Sequence, residues 1–275
     1  MTANKVFCGD AAEVLKSLPQ GSANMCVTSP PYYGLRDYGI ENQIGTEQTP
    51  QEYVERLIKV FDEVYRVLMD DGTLWLNIGD SYAGSGKGKG LLQEDNVKDR
   101  PAKCYEHIFL LAKSPRYYFD YKALEQPIKP VTEARYTRGR SGKTKYSVSP
   151  LGQKIDMNTQ AITDEKRKMR RCKDVWEVST NSYRMDEHFA MFPERLIEPC
   201  ILAGSREGGV VLDPFFGSGT TGAAAKRLGR SYIGIDINPR YLEKAEERIS
   251  NVIPENPHES EADLEGKTTA GGGTI

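Results

Sequence analysis

Two groups of residues have the side chains and spacing to do chemistry, and each suits one half of a two-substrate reaction. The first runs from Asp213-Pro214 through Phe215, Phe216, Gly217, Ser218, Gly219 and Thr220 to Asp236. Val210 to Leu212 is short, apolar and β-branched at its start, as a strand buried on both faces requires, and it stops at Asp213-Pro214. Glycines at 217 and 219 let the backbone take a positive φ or approach a ligand closely. Thr220 to Leu228 is an alanine-rich helix closed by Gly229, and Ser231 to Ile237 is a second buried strand carrying Asp236, 23 positions beyond Asp213. Strand, glycine turn, helix, strand, acid is the order of a nucleoside site in which the acid accepts hydrogen bonds from both ribose hydroxyls. A dinucleotide site competes, but its G-x-G-x-x-G turn sets three glycines at fixed spacing to admit a pyrophosphate. Asp213 to Gly219 fits that pattern poorly.

The second group is Ser29-Pro30-Pro31-Tyr32, which breaks a short strand at Asn24 to Thr28. Successive prolines have no N–H for a ladder and hold φ at about −65°, so the Pro30 carbonyl becomes a rigid acceptor. Ser29 adds a hydroxyl beside it. Tyr32 offers a ring on which a planar base stacks for about 1 to 3 kcal/mol. Two acceptors and a stacking face are what an exocyclic NH2 on a heteroaromatic ring requires.

Thr28-Ser29-Pro30-Pro31-Tyr32 resembles the catalytic motif of the amino-group DNA methyltransferases, and Asp213 to Gly219 resembles their S-adenosylmethionine motif. The catalytic motif comes first, as in the circularly permuted beta class of that family. The likeness extends over most of residues 3 to 252, including Tyr33 to Gly39. It implies an α/β fold, the Rossmann-like sheet of the S-adenosylmethionine-dependent methyltransferases, circularly permuted and with a small basic target-recognition insert. It also implies S-adenosyl-L-methionine as cofactor, with Asp213, Pro214, Phe215, Gly217, Ser218, Gly219, Thr220 and Asp236 around it and Ser29, Pro30, Pro31 and Tyr32 at the target amine. Placed on that sheet, Lys5 to Cys8 is the third strand of the cofactor half, which puts Asp10 near the adenine. His188 to Gly204 resembles the lead-in and helix that help to hold the methionine part, with Phe192-Pro193 and the upstream Asp174-Val175-Trp176 at that pocket. One departure stands out: relatives with this start carry a further helix and strand between Asp80-Ser81-Tyr82 and Asp99-Arg100-Pro101, where this chain has sixteen residues. An edge helix and strand are therefore expected to be missing, which bears on stability and activity.

Family members with Ser in the first motif position mostly resemble cytosine-N4 enzymes, and those with Asp adenine-N6 enzymes. Ser29 favours N4 of cytosine, with N6 of adenine as the alternative. The target amine is unreachable inside a duplex, so the base must flip out. Methylation at carbon 5 of cytosine would need a cysteine nucleophile in a Pro-Cys turn after the cofactor motif. The one Pro-Cys pair, Pro199-Cys200, lies in a predicted helix before it. A fold-only DNA-binding relative without turnover, and methylation of a protein or RNA amine, are the other readings.

With 275 residues, 38% of them hydrophobic, the chain can bury one substantial α/β core and a small appended module. A net charge of −2 does not advertise nucleic acid, but its distribution does. Residues 129 to 173 hold thirteen Lys or Arg against four acids, a concentration suited to phosphate contacts. Arg138, Arg140, Lys143, Lys145, Arg170 and Arg171 are the candidate contacts to double-stranded DNA. Residues 1–128 and 174–252 then form a discontinuous catalytic and cofactor domain, 129–173 the recognition segment, and 253–275 a tail whose lack of apolar periodicity predicts disorder. A cognate restriction endonuclease is a further candidate partner, and monomer and homodimer both stay open.

Five cysteines without a C-x-x-C and three histidines outside any metal spacing predict a reduced, metal-free protein. The absence of a span-length apolar run and of a signal peptide predicts a cytoplasmic location, away from membranes. Among the remaining segments, Ala11 to Leu18 and Gln51 to Met69 are predicted helices, the latter stopped by Asp71-Gly72. Thr73 to Ile78 and His107 to Ala112 are predicted strands. Gly84 to Gly90 is a glycine-rich loop that fails the phosphate-loop pattern.

Overall fold

In the computed structural model of the protein, the residues described are 3–35, 37–79, 105–132, 169–178 and 192–254. The elements follow in the order β1 (Lys5–Cys8), α1 (Ala11–Ser17), β2 (Ala23–Thr28), α2 (Pro50–Val67), β3 (Leu68–Ile78) and β4 (His107–Ala112). A short pair, β5 (Gln126–Pro127) and β6 (Met169–Arg170), precedes α3 (Glu194–Gly204), β7 (Val210–Asp213), α4 (Thr220–Arg227), β8 (Ser231–Asp236) and α5 (Pro239–Ser250). Six strands make one sheet in the order β1-β8-β7-β2-β3-β4. Every neighbouring pair is parallel except β3–β4. As expected from the sequence, β1 is third in the half built by β7 and β8.

Parallel strands are covered on both faces, and their residues show it: Met25, Cys26, Val211, Leu212 and Ile235 are wholly buried. Leu15 of α1 and Tyr53, Leu57, Val60 and Val64 of α2 pack with Leu212, Ile233 and Ile235 in one cluster. Phe216, Ala223, Leu242, Ala245 and Ile249 form another around α4 and α5. The start of α2 is written locally. Thr49 accepts from Glu52 N at 3.2 Å, the Glu52 carboxylate accepts from Thr49 N at 3.2 Å, and Pro50 fills the first turn.

The end of α2 differs from the sequence expectation. The helix stops at Val67, and β3 begins at once with Leu68 rather than at Thr73. Leu68 pairs with Ala23 and Thr73 with Met25, so β3 spends three extra residues between those rungs. Asp71-Gly72 thus marks an irregularity within the strand, where a Cβ on Gly72 would come within 2.9 Å of Met69 O and 3.1 Å of Asn24 O. Leu68, buried in the core, satisfies a helical and an extended apolar pattern equally, so periodicity alone misplaced the boundary. The other predicted strands and helices agree to within a residue at each end, with α3 occupying the later part of the predicted lead-in and helix. Helix α5 and the β5–β6 pair had no counterpart in the sequence reading.

Strand β4 pairs with β3 and with no other strand among the described residues. Phe109 and Leu111 are 48% exposed and Leu110 39%, the signature of a sheet edge. The stretch expected to lack a helix and strand, and the Gly84–Gly90 loop, lie outside the described residues, as do residues 255–275.

The chain divides into two compact units, Met1–Asp120 with Glu177–Ile275, and Tyr121–Trp176. In the second, Gln126 pairs with Arg170 and Pro127 with Met169. Arg138, Arg140, Lys143 and Lys145 lie outside the described residues. Among the described residues no helix is long and apolar enough to cross a membrane.

Candidate functional site

Because β1, β8, β7, β2 and β3 run parallel, their C-terminal ends share one edge of the sheet. The chain leaves β7 towards β8 on one side and β2 towards β3 on the other, so the order reverses between β7 and β2. An open α/β sheet binds ligands in the crevice outside such a switch point. Here the two loops at the switch are the glycine turn after Asp213 and Ser29-Pro30-Pro31-Tyr32 after Thr28. Topology therefore sets side by side two motifs that lie some 185 residues apart, and Thr28 Oγ1 ties them by donating to Asp213 Oδ1 at 2.6 Å.

Asp213 is buried, and its carboxylate is fully engaged inside the fold. It accepts from Thr28, from Phe215 N at 3.0 Å and from Thr221 Oγ1 at 2.6 Å. Burial lifts its pKa from 3.8 to about 6, against the three hydrogen bonds, with the charge of Asp236 adding to the rise. A carboxyl whose folded pKa exceeds its unfolded one stabilises fully below the unfolded value and loses that contribution as pH rises through the folded value. Between pH 4 and pH 7, Asp213 therefore gives up about 3 kcal/mol of relative stability. Asp213→Asn has no charge to bury, so its urea midpoint relative to wild type is expected to climb across that range. A constant offset would contradict this.

Asp236 ends β8, half-buried. Its Oδ2 accepts from Gly217 N at 2.8 Å and its Oδ1 from Asn238 N at 2.8 Å, and burial raises its pKa. Each oxygen keeps a lone pair for a further donor. Gly217 has φ 51°, and a Cβ there would meet no atom within 4 Å, so the turn's backbone faces open space. Gly219 serves packing instead: φ is 80°, and a Cβ would lie 2.7 Å from Ala245 Cβ. Phe216 turns into the core above Gly234, while Phe215 and Pro214 complete the turn. Ser218 and Thr220 are buried, and Thr220 Oγ1 accepts from Arg248 at 3.0 Å. Arg248 also holds Glu194 at the start of α3, directly after Phe192-Pro193, at 2.6 Å.

Asp10 follows β1, which is joined to β8 by the Gly9 N to Asp236 O bond at 3.0 Å. Its Oδ1 caps α1 by accepting from Ala12 N at 2.9 Å and Glu13 N at 3.1 Å. Its Oδ2 lies 3.9 Å from Arg56. Asp174 and Trp176 belong to the second unit, where the Trp176 indole donates to Lys173 O at 2.7 Å. In that unit Arg170 donates to Gln126 Oε1 at 2.9 Å and Arg171 lies 5.9 Å over the Tyr121 ring.

The Ser-Pro-Pro-Tyr loop is held by residues that periodicity assigned to a core-facing helix or left unassigned. Tyr53 of α2 donates to Pro31 O at 2.9 Å. Arg56, one helical turn on, donates to Gln43 O at 2.9 Å and pairs with Glu47 at 2.9 Å, and Gln43 in turn accepts from Tyr38 N at 2.7 Å. Gly34 N bonds Gly45 O at 2.8 Å, closing the loop on itself. Tyr32 lies against Gly79, where a Cβ would come within 3.0 Å of its ring. Its hydroxyl donates to Glu106 Oε2 at 3.4 Å; burial raises its pKa, opposed by the Ser29 side chain and the Gly79 backbone. Polar residues three to four apart on α2, Tyr53 and Arg56, were the available signal for this support.

This sheet order, with its two loops at one switch point, is that of the S-adenosylmethionine-dependent methyltransferase fold. The chain belongs to the N6/N4 DNA methylase family, whose model matches residues 23–96 and 93–247. It is 36% identical to the type II methyltransferase M.Cfr9I of Citrobacter freundii over 305 aligned positions, covering 90% of this chain and 89% of that one. To M.SmaI of Serratia marcescens it is 34% identical, covering 89% and 90%. The alignment to M.Cfr9I is longer than the 275 residues of this chain, so the relative carries residues with no counterpart here. The two family matches meet at 93–96, within the shortened stretch. Among solved structures, the cytosine-N4-specific PvuII DNA methyltransferase superposes with a TM-score of 0.60 at 17% identity, over 97% of this chain and 91% of that one. A candidate DNA modification methylase from Thermus thermophilus, solved with S-adenosyl-L-methionine, gives 0.55 at 23%, over 91% and 95%.

Proposed function

We propose that the protein is a type II DNA methyltransferase that moves a methyl group from S-adenosyl-L-methionine to the exocyclic N4 of a cytosine flipped out of double-stranded DNA. The observation that carries this reading is the 2.6 Å bond from Thr28 to Asp213, which fixes the amine clamp beside the glycine turn. The residues suit the cofactor: Gly217 opens onto free space, and Asp236 retains lone pairs for ribose hydroxyls. Asp10, Phe192, Pro193, Asp213 to Phe215, Gly217 to Thr220 and Asp236 would line its site. When bound, the cofactor supplies an activated methyl group on a sulfonium.

The chain's own residues then have to make a poor nucleophile competent. The amine lone pair is delocalised into the base. Hydrogen bonds from the NH2 to Ser29 Oγ and Pro30 O favour a more tetrahedral nitrogen, whose lone pair is directed at the methyl group. Tyr53 and Arg56 hold the loop stiff, so positioning supplies much of the acceleration. Tyr32 stacks on the flipped base. Serine at the first motif position supports cytosine as the target. The test is mass spectrometry of nucleosides from DNA incubated with the protein and cofactor. N4-methylcytosine is expected, N6-methyladenine would keep the reaction and change the base, and the absence of any methylated nucleoside would overturn the reading.

The basic segment 129–173 is the proposed duplex contact. Arg170→Ala with Arg171→Ala should weaken DNA binding and flatten its salt dependence by about one unit of slope for each phosphate that the protein no longer neutralises. Cofactor affinity should stay as it was. An unchanged slope in a binding titration across salt concentrations would move recognition elsewhere.

A further inference from the structure

Methyl transfer to an amine leaves a proton to be disposed of. As the nitrogen lone pair forms the new N–C bond, the C–S bond breaks with its electron pair going to sulfur. The nitrogen then carries a positive charge and must release one of its protons. Ser29 accepts a hydrogen bond from this amine, but an alcohol is too weak a base to keep the proton. Of the side chains a protein offers, a carboxylate is a far better terminal acceptor, and the Ser-Pro-Pro-Tyr motif contains none.

We propose that Glu106 is the terminal acceptor of that proton, reached from Ser29 through the Tyr32 hydroxyl. This rests on the methyltransferase reading above. Four residues come together here from three loops set side by side by neighbouring strands: Ser29 and Tyr32 follow β2, Gly79 follows β3, and Glu106 immediately precedes β4. Tyr32 donates to Glu106 Oε2 at 3.4 Å, and Ser29, three residues earlier in the same loop, acts on the phenol to oppose the rise in its pKa. Buried Asn77 at the end of β3 aims the carboxylate by donating to Glu106 Oε2 at 3.1 Å, and is itself anchored on His107 O at 3.2 Å. Gly79 leaves room for the Tyr32 ring, since a Cβ there would come within 3.0 Å of it. The proton balance closes in three hops: the amine proton passes to Ser29 Oγ, the Ser29 proton to Tyr32 Oη, and the Tyr32 proton to Glu106. Both hydroxyls end as they began. Glu106 is exposed, so it returns the proton to water between turnovers. Acting through Tyr32, Glu106 is a positioning and relay residue and does not touch the base.

The experiment compares wild type, Glu106→Gln, Glu106→Asp, Tyr32→Phe and the Glu106→Gln/Tyr32→Phe double variant. The readouts are kcat and KM on DNA, and equilibrium binding of cofactor and of DNA. The glutamine oxygen still accepts from Asn77 and Tyr32, so a purely structural contact would survive in Glu106→Gln. The relay predicts a kcat lower by about a hundredfold with binding and KM unchanged, and partial recovery in Glu106→Asp. It also predicts a loss of the same size in Tyr32→Phe, with no further loss in the double variant. Wild-type kcat in Glu106→Gln, or losses that multiply in the double variant, would overturn the relay while leaving the methyltransferase reading standing. A wild-type protein that transfers no methyl group would overturn that reading and the relay with it.

Discussion

Ser29→Ala is expected to bind S-adenosyl-L-methionine as tightly as wild type and to methylate DNA about a hundredfold more slowly, the cost of a reacting group displaced by about an ångström. The hydroxyl sits at the end of β2, on the clamp side of the switch point, while the glycine turn and Asp236 sit on the other. Its removal leaves Thr28 and the bond to Asp213 in place, so the two loops stay in register. What is lost is one acceptor for the amine, with the Pro30 carbonyl left alone to orient it. Tyr32→Ala should slow the reaction as well and also weaken retention of the flipped base, by about 1 to 3 kcal/mol for one stacking contact. Single-turnover methylation separates rate from retention. Undiminished turnover in both variants would remove the clamp from the mechanism.

The strands and the two motifs could be read from the sequence because their signals are local. Val210 to Asp213 is apolar until a proline-terminated turn, and Ser29-Pro30 ends β2 for want of backbone donors. The boundary between α2 and β3 could not be, because Leu68 and Met69 satisfy both patterns and only the pairing of Leu68 with Ala23 decides between them. The site was legible as a set of loops but not as a set of roles. Asp213 looked ligand-facing, yet its carboxylate is consumed by Thr28, Phe215 and Thr221, a fact that depends on two strands becoming neighbours across 185 residues of chain. Tyr53 reads from the sequence only as part of a predicted helix although its hydroxyl holds Pro31, and Glu106 had no sequence signal because its partners come from the loop after β2 and from β3. In each case the missing information was tertiary.

Asp236→Ala is expected to weaken cofactor binding by about 10- to 100-fold, the equivalent of about 1.5 to 3 kcal/mol for a hydrogen-bonding group that carries charge. DNA binding should change little, since the residue ends β8 on the far side of β7 from the clamp. The carboxylate also has an internal task, accepting from Gly217 N and Asn238 N, so the variant loses part of the glycine turn's support even without ligand. Some loss in the ligand-free melting temperature is therefore expected and proves nothing about the site. The informative quantity is the rise in melting temperature on adding cofactor, because a ligand that binds only the folded state stabilises it in proportion to the logarithm of its concentration over Kd. In Asp236→Ala that rise should shrink towards zero at concentrations that saturate wild type, and calorimetry should report the weaker Kd directly. If the ligand-free protein melts lower but the cofactor-induced rise and the Kd both match wild type, Asp236 is a turn-stabilising residue and the ribose contact lies elsewhere on the β1–β8 edge.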